Sequence, residues 1–455
     1  MICDKFFLLP LEKAILFDMN QVKPNFSIFF KYTYLLLIFF CFCFISLSAQ
    51  DKKTVEKYTN EKIITGADQV DKYLPLLINK KIAIVTNQTG IVMIPYIYNA
   101  DTNGGCARAQ GIDTLSIIDF LITKKINISK ILSPEHGFRG NIDAGEQIKD
   151  EIDPKTNIEI ISLYGENKKP TAKQLKNIDV ILFDIQDVGV RFYTYISTLH
   201  YVMEAAAENN IPVIVLDRPN PNAHYIDGPV LKDEYRSFVG MHNVPVVYGM
   251  TIGEYALMIN GEKWLKNKIS CDLTIIKLQN YNHKLRYSLP IAPSPNLKTD
   301  HAINLYPSLC FFEGTNVSVG RGTDFPFEVF GSPYNSAYSY EFIPKPNHGN
   351  KNPLYNGMGC YGHDLRNTPF LSEINLEWLL TIYYNSTNST DLPAGYSFFN
   401  KNILSNKNIF FDKLAGTNQL REQIIAGKSE KEIKKTWKKD LDKFKIIREK
   451  YLLYP

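Results

Sequence analysis

The chain has 455 residues, of which 45% are hydrophobic, 22% charged and 13% aromatic, a globular composition without the period of a collagen or coiled coil. Fifty-one Lys and Arg against 47 Asp and Glu give a formal charge of +4, and no five-residue window is uniformly basic, so the electrostatic footprint of a nucleic-acid binder is missing. A length about three times that of a usual domain predicts two domains.

The first segment with a pattern is 32–49, YTYLLLIFFCFCFISLSA, preceded by Lys23 and Lys31 and closing on Ser46, Ser48 and Ala49. Its apolar core, Tyr34 to Leu47, is 14 residues, short of the roughly 20 that span a bilayer. Residues 1–49 therefore read as a signal peptide, with Met19 a more ordinary start than Met1. The expectation is an exported protein, periplasmic or extracellular, with no stable membrane insertion after cleavage. Beyond that point Cys106, Cys271, Cys310 and Cys360 lie far apart without CxxC spacing, and no disulfide pattern is legible.

Short apolar runs follow: KIAIVTNQ (81–88), KILS (130–133), IEIISLYG (158–165), DVILFDIQD (179–187) and PVIVLDRPN (212–220). Each ends in polar, Gly or Pro residues. Helical patterns separate some of them, one around Leu115, Ile118, Phe120 and Leu121 and another over 198–209. This alternation predicts parallel strands of a Rossmann-like α/β sheet over 60–283. After about residue 283 the sequence becomes loop-rich, predicting a smaller α+β domain over 284–455 whose last helix, 428–450, presents a solvated Lys/Glu face.

In a parallel sheet ligands bind beyond the carboxyl ends of the strands, and the unusual polar residues fall there: Asn87, Glu135 and His136, Asp184 to Asp187, and Asp217 with Arg218. SPEHGFRGNIDAGE (133–146) gathers Glu135, His136, Arg139, Asp143 and Glu146 in a Gly-rich βα loop. Such a partly apolar setting can raise a carboxyl toward the range of a proton donor; the alternative is a solvated loop with local salt bridges. DIQDVGVRFYTY (184–195) carries Asp184, Asp187, Arg191 and Tyr193, an aromatic platform and a planar fork suited to a hydroxylated or carboxylated ligand. A structural Asp184–Arg191 ion pair is the alternative there. FFEGTNVSVGRGTDFP (311–326) adds Glu313, Asn316 and Arg321, with loop capping by Glu313 equally open. Ser318 sits in a weak match to a nucleophile elbow. Neither a dinucleotide fingerprint nor a P-loop is present, and the eight histidines lack metal-ligand spacing. No cofactor or metal is expected.

Taken together, TNQTG (86–90), SPEHGFRGNIDAGE, LYGENKKPT, DIQDVGVRFYTYISTL, LDRPNPN, GMTIGE (249–254), APSPN and YPSLCFFEGTNVSVGRGTDFPFEVFGSP resemble the NamZ-type exo-β-N-acetylmuramidases across residues 60–455. The resemblance implies an exported glycoside hydrolase that releases terminal N-acetylmuramic acid from the non-reducing ends of peptidoglycan fragments. It also implies an active site in a cleft between the two domains. Glu135, Glu146, Asp184 and Glu313 are then the catalytic carboxyl candidates. Asn87, His136, Arg139, Asp187, Arg191, Tyr193, Asn316 and Arg321 are the substrate-binding candidates. The chain departs from the pattern at Tyr248, where many members have His, and in a longer connection over 91–112. A non-catalytic wall-binding protein and a serine esterase acting through Ser318 are the competing readings.

Overall fold

The computed structural model describes residues 62–102, 105–134, 151–336, 338–387, 392, 395–399 and 409–455. The expected signal peptide, and Glu135, His136, Arg139, Asp143 and Glu146, lie outside the described residues.

Strand periodicity builds the centre of the molecule. In β1 (Lys81–Thr86), Ile82 and Ile84 pack on one face of the sheet and Ala83 and Val85 on the other. The same alternation sends Val180 and Leu182 one way and Ile181 and Phe183 the other in β7 (Val180–Asp184). In β8 (Val213–Leu216), Ile214 and Leu216 oppose Val213 and Val215. A strand covered on both faces reads as an unbroken apolar run, which is why these segments were legible in the sequence.

One face is covered by α1 (Val70–Leu77) and α2 (Ile117–Thr123), through Tyr73, Leu77, Ile118 and Leu121. The other is covered by α3 (Tyr195–Glu208) and α4 (Ile252–Gly261), through Leu199, Met203, Ala256 and Met258. GMTIGE supplies a capping box for α4: the Thr251 hydroxyl accepts from Glu254 N–H, and the Glu254 carboxylate accepts from Thr251 N–H.

The sheet has seven strands. With β4 (Asn127–Ser133), β5 (Glu151–Ile152), β6 (Glu159–Ser162) and β9 (Leu273–Ile276), its order is β5-β6-β4-β1-β7-β8-β9, all parallel except β5. Numbered by chain position, the parallel strands run third, second, first, fourth, fifth, sixth. The winding reverses between β1 and β7, and a sheet of this order opens a crevice beyond the carboxyl ends at that point.

Between β1 and α2 the chain forms a two-stranded antiparallel ribbon, β2 (Ile91–Thr102) and β3 (Gly105–Ser116). The helical pattern expected from Leu115 starts later: Leu115 lies in β3, and α2 begins after Ser116, whose hydroxyl accepts from Asp119 N–H at 3.1 Å. A three-stranded antiparallel sheet, β10 (Val329–Ser332), β12 (Cys360–Asp364) and β11 (Tyr340–Phe342) in spatial order β10-β12-β11, follows α5 (Asp300–Leu309). The helices α6 (Glu377–Thr387), α7 (Phe410–Ala415), α8 (Gln419–Ile425) and α9 (Glu430–Glu449) complete the chain. Although α9 is mostly charged, it buries Ile433, Trp437 and Phe444, so the charged face has an apolar seam behind it. Residues Lys62–Pro455 form one compact unit, and no described helix is long and apolar enough to cross a membrane.

Candidate active site

At the carboxyl edge of the sheet the chain turns out of β1 through Asn87. The Asn87 amide donates to the Tyr195 hydroxyl at 2.7 Å, while its carbonyl oxygen accepts from Thr89 N–H and the Thr89 hydroxyl. Gly90 closes the turn, since a Cβ there would lie 2.0 Å from Thr86 Oγ1. Gln88, directly after Asn87, donates to the carbonyls of Ala292 and Pro293, both at 3.2 Å, and Tyr193 donates to Pro293 at 2.8 Å. The turn after β1 thereby holds the APSPN loop. From that loop Asn296 donates to the Gly349 carbonyl at 2.7 Å, carrying the scaffold to the segment around Asn350.

These contacts frame a cavity of about 450 Å³, within the size range of small-molecule sites. Its walls include Tyr164, Phe192, Tyr193, Phe238, Tyr306, Phe327 and Phe410, with Ser294, Asn296 and Asn350 as polar points. Edge-to-face packing fixes the rings: Tyr306 meets Tyr193 at 6.0 Å, Phe192 at 5.3 Å and Phe327 at 4.9 Å. Among the described lining residues the ionised pair is Glu313 and Arg321, joined at 2.6 Å from both Arg321 Nε and Nη2 to Glu313 Oε1. The Arg321 guanidinium also lies over the Phe327 ring at 5.1 Å. Cys310 donates to the other Glu313 oxygen at 3.4 Å, and burial, with the Glu313 charge second, pushes its thiol well above the usual range.

The other expected site residues are placed differently. Asp184 is fully buried and gives both carboxylate oxygens to Arg218, at 2.6 and 2.9 Å; it is not paired with Arg191 and does not line the cavity. Burial pushes its carboxyl up and the Arg218 charge pulls it back. Arg191, expected to grip a substrate carboxylate, is also fully buried. Its fork donates to the carbonyls of Pro229 and Val244, each at 2.7 Å, and Leu414 at 2.8 Å, tying three distant segments together. Burial pulls this guanidinium down to about 9.

Asp187 is buried; its Oδ2 accepts from Gly189 N–H at 2.7 Å and from the Tyr248 hydroxyl, and its Oδ1 has no hydrogen-bond partner among the described residues. Desolvation raises the Asp187 carboxyl to about 6. Asn316 spends its side-chain amide on the Ser397 carbonyl and its backbone N–H on the Phe398 carbonyl. Ser318 is buried in a bridge to Gly331, with its hydroxyl accepting from Gly320 N–H, and is not part of the cavity wall. Of the expected site residues, the cavity brings together Tyr193, Glu313 and Arg321.

Tyr306 and Cys310 were not singled out in the sequence, yet Tyr306, Cys310 and Glu313 recur at i, i+4 and i+7 and so lie on one face of α5 and the turn after it. That spacing was readable. Asn296 and Asn350 had no such signal, because their segments are joined by the bond from Asn296 to the Gly349 carbonyl, 53 residues along the chain.

A doubly covered α/β sheet with a cavity at its side, ringed by aromatic side chains and holding a carboxylate, defines an α/β protein with a small-molecule-sized site. Two family models described as exo-β-N-acetylmuramidase NamZ match the chain, the N-terminal one over residues 82–301 and the C-terminal one over 304–454. The chain belongs to the NamZ family. It is 36% identical over 416 residues to a peptidoglycan β-N-acetylmuramidase NamZ of Bacillus subtilis (strain 168), covering 86% of this chain and 92% of that protein. It is also similar to two crystal structures of DUF1343 family proteins from Bacteroides fragilis NCTC 9343. The first has a TM-score of 0.73 at 42% identity and covers 87% of this chain and 99% of its own. The second has a TM-score of 0.67 at 28% identity and covers 86% and 99%.

Proposed function

We propose that the chain is an exo-β-N-acetylmuramidase, a glycoside hydrolase releasing terminal N-acetylmuramic acid from the non-reducing ends of peptidoglycan fragments, and that the aromatic-walled cavity is its active site. The observation that carries the reading is the position of Glu313: a carboxylate held by Arg321 inside a cavity lined by residues from both family-matched halves. We read the central sheet as Rossmann-like and the cavity as the cleft between that half and the C-terminal one.

The rings give the terminal sugar apolar faces to stack on, and Ser294, Asn296 and Asn350 offer hydrogen bonds to its hydroxyl and acetamido groups. Glu135, which follows the carboxyl end of β4 in sequence, is assigned the proton transfer to the leaving oxygen, with His136, Arg139 and Glu146 in the same sequence motif. Glu313 is assigned the second carboxylate, facing the charge that develops on the sugar ring. Arg321 donates twice to one Glu313 oxygen and keeps further N–H groups, which fit it to receive the lactyl carboxylate of the muramic sugar. We further propose that residues 1–49 direct export, placing the enzyme where peptidoglycan fragments are found; the amino-terminal sequence of the protein recovered outside the cytoplasm tests this.

The central experiment incubates the protein with a chromogenic 2-acetamido-3-lactyl glucoside. Chromophore release is expected from the wild-type protein and not from folded Glu135→Gln. No release above the Glu135→Gln background would overturn the reading.

A further inference from the structure

A second cavity, of about 500 Å³, adjoins the first through a shared wall, Phe238. Tyr164 meets this ring at 6.5 Å from the first cavity, and Tyr201 stacks on it at 6.3 Å from the second. The two chambers differ in charge. In the first, the described charges are Glu313 and Arg321, which neutralise each other. In the second, Lys168, Arg236 and Lys263 line the cavity and no described carboxylate does.

The floor of the second cavity is built rather than open. His242 stacks on Trp264 at 4.4 Å and 14°, its Nε2 meets His200 Nδ1 at 2.9 Å, and its Nδ1 meets the Tyr255 hydroxyl at 2.9 Å. Burial holds both imidazoles below their ordinary range, so the cavity's charge comes from the three rim cations. Two of these have outward-side partners that leave donors over: Arg236 Nη2 reaches Asp233 and Asn243, and Lys263 reaches the Ser270 hydroxyl. Lys168 lies over the Phe238 ring at 5.3 Å, on the partition itself. The Ser237 hydroxyl, which also lines this cavity, is a buried polar atom without a hydrogen-bond partner among the described residues.

We propose that this basic cavity is a second subsite, which takes a carboxylate-bearing group on the part of the fragment that lies beyond the scissile bond. The proposal rests on the muramidase reading above. An exo-acting enzyme that seats one terminal sugar in the first cavity leaves the rest of an acidic fragment outside, and the adjoining cavity offers it aromatic walls and, even with Arg236 paired to Asp233, an excess of cations among its described lining residues.

Three substrates test it on wild type and the Arg236→Gln/Lys263→Gln double variant. They are the single-sugar chromogenic glycoside, a four-sugar fragment whose inner acidic sugar carries a peptide with free carboxylates, and the same fragment with those carboxylates amidated. The double variant is expected to raise KM for the acidic fragment about tenfold with kcat unchanged, equivalent to about 1.4 kcal/mol. KM for the chromogenic glycoside and the amidated fragment should stay at the wild-type value. An unchanged KM for the acidic fragment, or an equal rise for all three substrates, would overturn the subsite. Calorimetric binding of both fragments to Glu135→Gln separates the two readings. If wild type cleaves nothing, the muramidase reading fails, while tighter binding of the free-carboxylate fragment still supports the basic subsite and equal binding overturns it.

Discussion

Asp184 and Arg218 stand at the carboxyl ends of adjacent strands β7 and β8 and share two hydrogen bonds, of 2.6 and 2.9 Å, in a fully buried setting. A third bond, from Arg218 Nη2 to the Ile91 carbonyl at 2.9 Å, ties the start of the β2–β3 ribbon to the same pair. Removing one partner of such a pair leaves an uncompensated buried charge, at a cost of about 3–5 kcal/mol. Asp184→Asn and Arg218→Met should each lower the unfolding free energy by that amount. Asp184→Asn/Arg218→Met should cost less than the sum of the two single changes. Urea denaturation of the four proteins measures this coupling.

Arg191, buried in the core, and Arg321, at the cavity wall, should separate cleanly. Arg191→Lys leaves carbonyls of three segments without their donors and should destabilise by about 3 kcal/mol. Its kcat/KM per folded molecule should change equally for muramic and glucosaminic substrates. Arg321→Lys should weaken kcat/KM for the muramic substrate at least tenfold, about 1.4 kcal/mol, and the glucosaminic one much less. Paired substrate kinetics with thermal melts of both variants decide it.

Glu313→Gln keeps the shape of the cavity floor but removes the charge that Arg321 holds. A catalytic carboxylate contributes about 10²-fold or more, so kcat should fall by at least that factor with KM little changed. A fall in stability without a fall in kcat would instead make Glu313 the structural cap considered from the sequence.

Desolvation raises Asp187 to about 6, above its ordinary unfolded value of about 3.9. A carboxyl raised in the folded state contributes stability that is fully present below about pH 4 and lost as pH rises through about 6. Asp187→Asn cannot ionise, so its stability relative to wild type should improve between pH 4 and 7, by up to about 3 kcal/mol. Tyr248→Phe removes a hydrogen bond that favours the charged form and should move the wild-type transition to higher pH. Urea midpoints at pH 4, 5, 6 and 7 report both effects.

The amino-acid sequence alone determined the parallel core, because strands buried on both faces must be apolar without interruption, as at Ile82–Val85 and Ile181–Phe183. It also pointed to the strand-end segments at Asn87, Asp184 and Asp217, where polar residues follow apolar runs. What it could not determine was which way each polar side chain is spent. Arg191 and Arg321 are the same residue type in similarly aromatic stretches, yet one holds backbone carbonyls from residues 229, 244 and 414 and the other holds Glu313 at a cavity wall. Only the tertiary structure decided this, because a guanidinium's partners are set by which distant carbonyls and carboxylates the packed elements bring within about 3 Å, and local periodicity carries no record of those meetings.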